Sequence, residues 1–264
     1  HDVYLMNDND LYELMLSHDL DVLVELAGHT SANRLTMLQA KMARVVLSGI
    51  GYPPTTGMSE VHGKFHDRYT VGDSPELYYA EEPVVLPESF WCFDPKESSE
   101  ISPEPPMVKN GYVTFACVGN IAKINDRMMG VWGAILGRVP DSRILIRSIC
   151  FEDKAALHAL TSTIERCGLP LDRFDLKLPE GGRAFFDSYN EIDIILDTYP
   201  FNGGTTTCFA TYMGVPVVTM YGKSLLSRMG LSVMSNLSAS ELASADEQGD
   251  RKSTRLNSSH TDIS

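Results

Sequence analysis

Apolar and polar positions alternate along this chain in blocks that change period several times. Asp10 to His18 carries Leu11, Leu14 and Met15 on one face, a helical spacing. Asp21-Val22-Leu23-Val24-Glu25-Leu26 is a compact apolar run that predicts a strand, and Gly28-His29-Thr30 predicts a turn at its C-terminal end. A helix over Asn33 to Lys41 and a strand at Val45-Val46-Leu47 follow. Breakers then dominate from Gly49 to Gly57. Asp94 to Lys109 is polar, carries four prolines and predicts a linker.

Beyond the linker the alternation is regular. Tyr112 to Cys117 predicts a strand, Asn125 an N-cap, and Met128, Trp132, Ile135 and Leu136 a helix. Arg143 to Ile149 and Phe174 to Leu178 predict strands around a helix over Glu152 to Cys167, which Gly168 and Pro170 close. Glu191 to Asp197 and Val215 to Met220 predict two more strands around a short helix. Repeated β-α-β units with near-continuous apolar strands imply α/β architecture, with parallel sheets covered on both faces. The expected organisation is a partial first domain over 1–93, a linker over 94–109, a second domain over 110–237 and a disordered or artefactual tail over 238–264. The stretch from Gly249 to His260 has one apolar residue in twelve, too few to bury a face.

Bulk properties narrow the function. A net charge of −13 disfavours general nucleic-acid or anionic-membrane binding, but leaves room for one local basic pocket. No apolar run approaches the roughly 18 residues of a membrane helix. Five dispersed cysteines without a CxxC pair predict reduced core thiols and a cytoplasmic setting. The first residue, His1, reads as a cut point inside a longer protein.

The chemistry concentrates at predicted strand ends, where ligands of open α/β sheets bind. Phe201-Asn202-Gly203-Gly204-Thr205-Thr206-Thr207 joins a strand to a helix. Such a turn aims unpaired N–H groups and hydroxyls at one spot on the positive end of a helix, a phosphate site. It is neither a P-loop nor a dinucleotide fingerprint. Lys123, after the Gly119-Asn120 turn, is placed to neutralise a diphosphate and stabilise it as a leaving group. Asp197 is read as a ribose ligand or as a cap for the next turn, Arg228 as a residue facing a cleft, and His29 as a structural hydrogen-bonder or a catalyst. His62 and His66 lack the carboxylate pattern of a metal site, and no metal is expected.

These motifs, in this order, resemble the catalytic region of the O-linked N-acetylglucosamine transferase/SPINDLY family. Residues 21–30, 51–57, 86–90, 111–115, 120–124, 193–200, 202–207 and 213–219 carry the resemblance. It implies a GT-B fold, two Rossmann-like doubly wound domains facing a cleft, the N-terminal one incomplete here. It also implies metal-independent, cofactor-free, inverting transfer of N-acetylglucosamine from UDP-N-acetylglucosamine to Ser or Thr of a protein acceptor. On the resemblance, Lys123 holds the phosphate, and Asn120 lines the site. Thr205 and Thr206 bind the diphosphate beside Gly203, Gly204 and Thr207, while Ile50 and Gly51 touch the donor sugar. The family's catalytic His unit and tetratricopeptide superhelix fall upstream of residue 1, so the chain is expected to be a fragment, inactive in isolation. Gly204 stands where a His often follows Asn-Gly, Phe209 where an acidic ribose ligand is usual, and Arg183 and Phe185 where basic and His residues approach the base. GDP-fucose, UDP-glucose and a non-catalytic nucleotide-sugar-binding module therefore remain open alternatives.

Overall fold

A computed structural model describes residues 2–245. The chain divides into two compact units, one of residues 1–92 with Lys223–Leu226, the other of Phe93–Gly222 with the chain from Ser227 onward.

The first unit opens with helix α1 (Asp8–Ser17), capped by the Asn7 side chain, which accepts from Asp10 N. Strands β1 (Leu20–Glu25), β2 (Ala43–Ser48), β3 (Gly63–Asp67) and β4 (Glu82–Leu86) form a parallel sheet in that order. The helix expected over Asn33 to Lys41 is a 3-10 turn, Leu35–Ala40, and Lys41 ends it in the left-handed region at φ 53°. Its Leu35, Met37 and Leu38 pack with Leu11, Met42, Val46 and Val61 into one core. The opposite sheet face departs from the expected double cover. Val22, Val24 and Val45 are exposed, because within this unit α1 and the 3-10 turn supply apolar side chains to one face only. Strand β3 carries Lys64, His66 and Asp67 buried, a polar pattern that hides it from a search for apolar runs.

The second unit contains α2 (Pro106–Asn110), β5 (Thr114–Val118), α3 (Asp126–Arg138), β6 (Arg143–Arg147), α4 (Lys154–Arg166), β7 (Phe174–Lys177), α5 (Arg183–Asp187), β8 (Ile194–Leu196), α6 (Thr205–Tyr212), β9 (Val217–Tyr221), α7 (Met229–Asn236) and β10 (Ala243–Ala245). Its parallel strands run in the order β10-β9-β8-β5-β6-β7. Phe115 of β5 sits between Ile144 of β6 and Ile194 of β8. The chain winds outward from β5 in one direction through β6 and β7, and in the other through β8, β9 and β10. The seam between β5 and β8 is thus the switch point where ligands of such sheets bind. Asn125 caps α3 by accepting from Met128 N at 3.1 Å. Trp132 and Met129 of that helix are fully buried against Ile144, Ile146 and Phe174.

Two expectations change here. The linker over 94–109 contains α2 and is tied to the second unit, since Ser102 N donates to Asn190 and Met107 N to Asp193. Chain order also persists past residue 238. Leu242 N closes a turn onto Ala239, and Ala243 to Ala245 add β10 to the sheet edge beside β9, where small side chains suffice because backbone bonds hold the strand. The polar stretch from 249 to 260 lies outside the described residues. The cysteines are free: Cys117 and Cys208 are buried and Cys150 and Cys167 half-buried, but Cys92 is exposed rather than in a core.

Candidate functional site

A cavity of about 110 Å³ opens at the switch point of the second unit. It is lined by the ends of β5 and β8 (Cys117, Val118, Ile195, Leu196), by Gly119, Asn120 and Lys123, by Asp197, Thr198 and Gly203, and by Thr206 and Thr207. The volume is that of about four waters in the liquid. It suits a phosphate-sized group and falls well short of the roughly 300–1,000 Å³ of a site that engulfs a drug-sized ligand.

Three segments build the wall. The first is the turn after β5. Gly119 adopts φ +138°, a conformation that side-chain-bearing residues rarely take, and a Cβ there would meet the Thr206 methyl at 3.8 Å. Asn120 caps the following turn by accepting from Ala122 N at 2.9 Å, and its Oδ1 lies 3.7 Å from the Cys150 thiol. That turn delivers Lys123, whose Nζ donates to the Asn202 carbonyl at 3.0 Å and sits 3.7 Å from the Phe201 ring centroid.

The second segment is the turn from Asp197 to Gly203, where Asp197 is buried. Its Oδ1 accepts from Thr198 N at 2.8 Å and Gly203 N at 2.6 Å, and its Oδ2 from Thr219 Oγ1 at 2.7 Å. Of the two roles expected for Asp197, the cap is the one these bonds build. Asn202, fully buried, donates from Nδ2 to the carbonyls of Thr198 and Met220 at 2.8 and 3.1 Å. The third segment is the start of α6. Gly204 provides no side-chain cap; Thr207 N donates to the Gly204 carbonyl at 2.9 Å, which leaves the N–H groups of Thr205 and Thr206 for another acceptor. Thr206 and Thr207 face the cavity, while Thr205 is exposed and Gly204 half-buried, and neither lines it. Gly203 N–H, expected to face a phosphate, is engaged by Asp197.

The electrostatics follow from burial. Desolvation lowers the Lys123 pKa, against which the Asp197 charge works to raise it. Burial pushes the Asp197 carboxyl up to about 6, while hydrogen bonds from Gly203, Thr219 and Thr198 and the Lys123 charge pull it back. Burial pushes the Cys117 thiol up to about 12, so it is a neutral wall. The cavity therefore holds one ammonium and one carboxylate at neutral pH, with hydroxyls and a helix N-terminus beside them.

Most of the remaining candidates lie in the first unit, where some of them meet, while Arg228 and Phe209 belong to the second. His29 is exposed and donates from Nε2 to the Thr56 carbonyl at 2.8 Å, and its ring is edge-on to Tyr52 at 5.5 Å. Ile50 is half-buried, and Gly51 lies so close to Leu26 that a Cβ would stand 2.0 Å from the Leu26 carbonyl oxygen. The loop that carries them is fastened at both ends. Lys64 Nζ donates to the Tyr52 carbonyl at 2.7 Å, and Glu81 accepts from Thr56 N at 2.6 Å and Thr55 Oγ1 at 2.7 Å. Sequence reading singled out neither Lys64 nor Glu81; a lysine inside a strand flanked by Gly63 and Phe65 was the available signal. His62 and His66 do not pair. His62 Nδ1 accepts from Val46 N, and His66 is buried edge-on to Tyr79. Arg228 donates to the Gly222 carbonyl at 2.9 Å and lies over the Tyr221 ring. Phe209 packs edge-to-face with Phe93, Phe185 and Phe186, which explains an aromatic at that position of α6.

The profile of glycosyl transferase family 41 matches residues 107–261. A probable UDP-N-acetylglucosamine–peptide N-acetylglucosaminyltransferase SPINDLY of Petunia hybrida is 35% identical over 248 residues, 93% of this chain and 26% of the relative. The protein of the same name from Hordeum vulgare is 36% identical over 250 residues, with the same shares. Among solved structures, a mutant of the Thermobaculum terrenum O-GlcNAc transferase superposes with a TM-score of 0.85 at 27% identity, covering 92% of this chain and 46% of that one. The chain thus spans about a quarter of the length of these curated relatives. Among the described residues no helix is long and apolar enough to cross a membrane. On the family profile, the identity to SPINDLY proteins and the shared α/β fold with parallel sheets, the chain belongs to glycosyl transferase family 41.

Proposed function

We propose that this chain is part of a protein O-glycosyltransferase, and that the cavity at the β5–β8 seam holds the diphosphate of its nucleotide-sugar. The observation that carries the reading is the convergence of Lys123, Gly203, Thr206 and Thr207, from two separate loops, on one cavity at the switch point. An ammonium on one side and an uncapped helix start on the other suit two adjacent phosphates. Lys123 then supplies positive charge as the sugar–phosphate bond breaks and charge builds on the departing diphosphate. Because protein groups meet that charge, the reading is of metal-independent transfer; a Ser or Thr hydroxyl as acceptor and inversion at the sugar are what the family resemblance implies. The names of the relatives support N-acetylglucosamine as the sugar and UDP as its carrier. Ile50 and Gly51 are assigned to the donor sugar on the family resemblance. His29 is not assigned a proton-transfer role, since its Nε2 is committed to the Thr56 carbonyl.

Phe209 favours a second reading, a non-catalytic nucleotide-sugar-binding module, because an aromatic cluster stands where the family resemblance puts an acidic ribose ligand. GDP-fucose and UDP-glucose, which carry the same ribose, stay in competition with UDP-N-acetylglucosamine as donors. Calorimetric titration with UDP and GDP tests the site, and competition among the three nucleotide-sugars tests the donor. Absence of binding by both nucleotides to folded protein overturns the proposal. Tight donor binding by the full-length protein without transfer or hydrolysis supports a non-catalytic binding module instead.

A further inference from the structure

One peptide group stands between the two charges of the cavity. The carbonyl of Asn202 accepts from Lys123 Nζ at 3.0 Å, and the N–H of Gly203, the other end of the same peptide unit, donates to Asp197 Oδ1 at 2.6 Å. The Asp197 carboxylate also accepts from Thr198 N and Thr219 Oγ1, so all three of these bonds run toward it, the pattern of an ionised, acceptor-only group. It is 8% exposed and lines the cavity. A Cβ built on Gly203 would lie 2.5 Å from Thr207 Oγ1 and 2.9 Å from Thr206 Oγ1. Whatever fixes Gly203 therefore also sets the turn against both hydroxyls.

We propose that Asp197 is a positioning residue with two opposed effects: it holds the 198–203 turn in shape to receive a diphosphate, and its charge beneath Lys123 limits how tightly that diphosphate is held. The inference rests on the diphosphate reading of the cavity and deepens it. Shape and charge are separable because the amide isostere preserves the bonds. An Asn at this position accepts from Thr198 N and Gly203 N through Oδ1 and donates from Nδ2 to Thr219 Oγ1, the hydroxyl turning from donor to acceptor. Only the charge disappears. The positive field of Lys123 is then no longer offset at the place where an anion arrives.

The test is calorimetric titration of UDP and of inorganic pyrophosphate into the wild type, Asp197→Asn and Asp197→Ala, with thermal melts to establish folding. The expected result is tighter binding by Asp197→Asn, on the order of 3- to 10-fold, and weaker binding by Asp197→Ala, about tenfold. A purely structural carboxylate predicts that both variants weaken. Affinity in Asp197→Asn equal to or below that of the wild type overturns the inference and leaves the diphosphate reading intact. A folded wild type that binds neither probe overturns both. Should Asp197→Asn fail to fold, the wild type decides. UDP-N-acetylglucosamine, whose diphosphate diester has no proton to lose near neutrality, is titrated at pH 6.5 in two buffers of different ionisation enthalpy. Lys123 and Cys117 keep their protons at that pH, so net proton uptake reports the carboxyl answering an incoming anion. No uptake, or release, overturns the inference.

Discussion

Replacing Lys123 by Met keeps the aliphatic stem in place and removes the ammonium. Among the described residues that ammonium makes one hydrogen bond, to the Asn202 carbonyl at 3.0 Å, and one face contact, 3.7 Å from the Phe201 ring centroid. The hydrogen bond contributes roughly 0.5–1.5 kcal/mol net and the ring contact about 0.5–1 kcal/mol. Against these stands the desolvation of a partly buried cation, the cause that lowers its pKa, and this cost vanishes with the charge. The terms nearly cancel, so the expected loss of folding stability is about 1 kcal/mol or less. Binding is different. A diphosphate in the cavity loses its charge-assisted partner, worth about 1.5–3 kcal/mol, and UDP affinity should fall by roughly 10- to 150-fold. The assay is isothermal titration of UDP into both proteins at one ionic strength, with melting curves to separate the two effects. A folded Lys123→Met protein that binds UDP within about twofold of the wild type refutes the placement of the diphosphate beside Lys123.

Other perturbations read other parts of the molecule. Gly203→Ala places a methyl 2.5 Å from Thr207 Oγ1, so UDP binding should weaken by at least about tenfold in the same titration; unchanged affinity would mean that the ligand does not use this turn. Trp132→Ala empties the middle of the second core, where that side chain is fully buried, and should cost about 3–5 kcal/mol by denaturant titration. Burial alone would raise the Glu81 pKa, but hydrogen bonds from Thr56 and Thr55 hold the carboxyl below its ordinary value of 4.5. Its ionised form therefore stabilises the fold fully above that value, and the stability is lost as pH falls through the depressed folded one. Melting temperature should accordingly drop below about pH 4.5 in the wild type and do so less in Glu81→Gln, which should itself cost about 1–3 kcal/mol at neutral pH.

From β5 to β9 the strands of the second unit were legible in the chain, because strands buried on both faces leave runs of apolar residues and the longer helices between them keep one apolar stripe. Trp132, Met128 and Leu136 fall on the inside where the 3.6-residue period puts them. Strands β3 and β4 were not legible. Gly63-Lys64-Phe65-His66-Asp67 is a strand whose buried Lys64 and Asp67 are hydrogen-bonded inside the unit, and a period of two in hydropathy cannot register a buried lysine. The Leu35–Ala40 turn had the right apolar spacing for a helix, but it stops at the left-handed Lys41 after six residues. Spacing measures which face is apolar, not how tightly the backbone winds.

In the site, the sequence marks the donors and conceals the acceptor that organises them. Lys123, Gly203 and the threonines stand out because their types and their place at strand ends are those of phosphate binding. Asp197 offered two readings, ligand or cap; its place just before a turn favours the cap, and local sequence goes no further. The choice is made by Thr219, twenty-two positions away on the neighbouring strand, whose hydroxyl closes the third bond on the carboxylate. With that bond, three of the carboxylate's roughly four acceptor positions are filled from within the protein, so Asp197 is built as a cap, and its main remaining influence on a ligand is its charge. The carboxylate's Oδ1, which accepts from Gly203 N at 2.6 Å, also explains why that N–H does not serve a phosphate although its sequence context says it should. Tertiary pairing commits the donor before the ligand arrives.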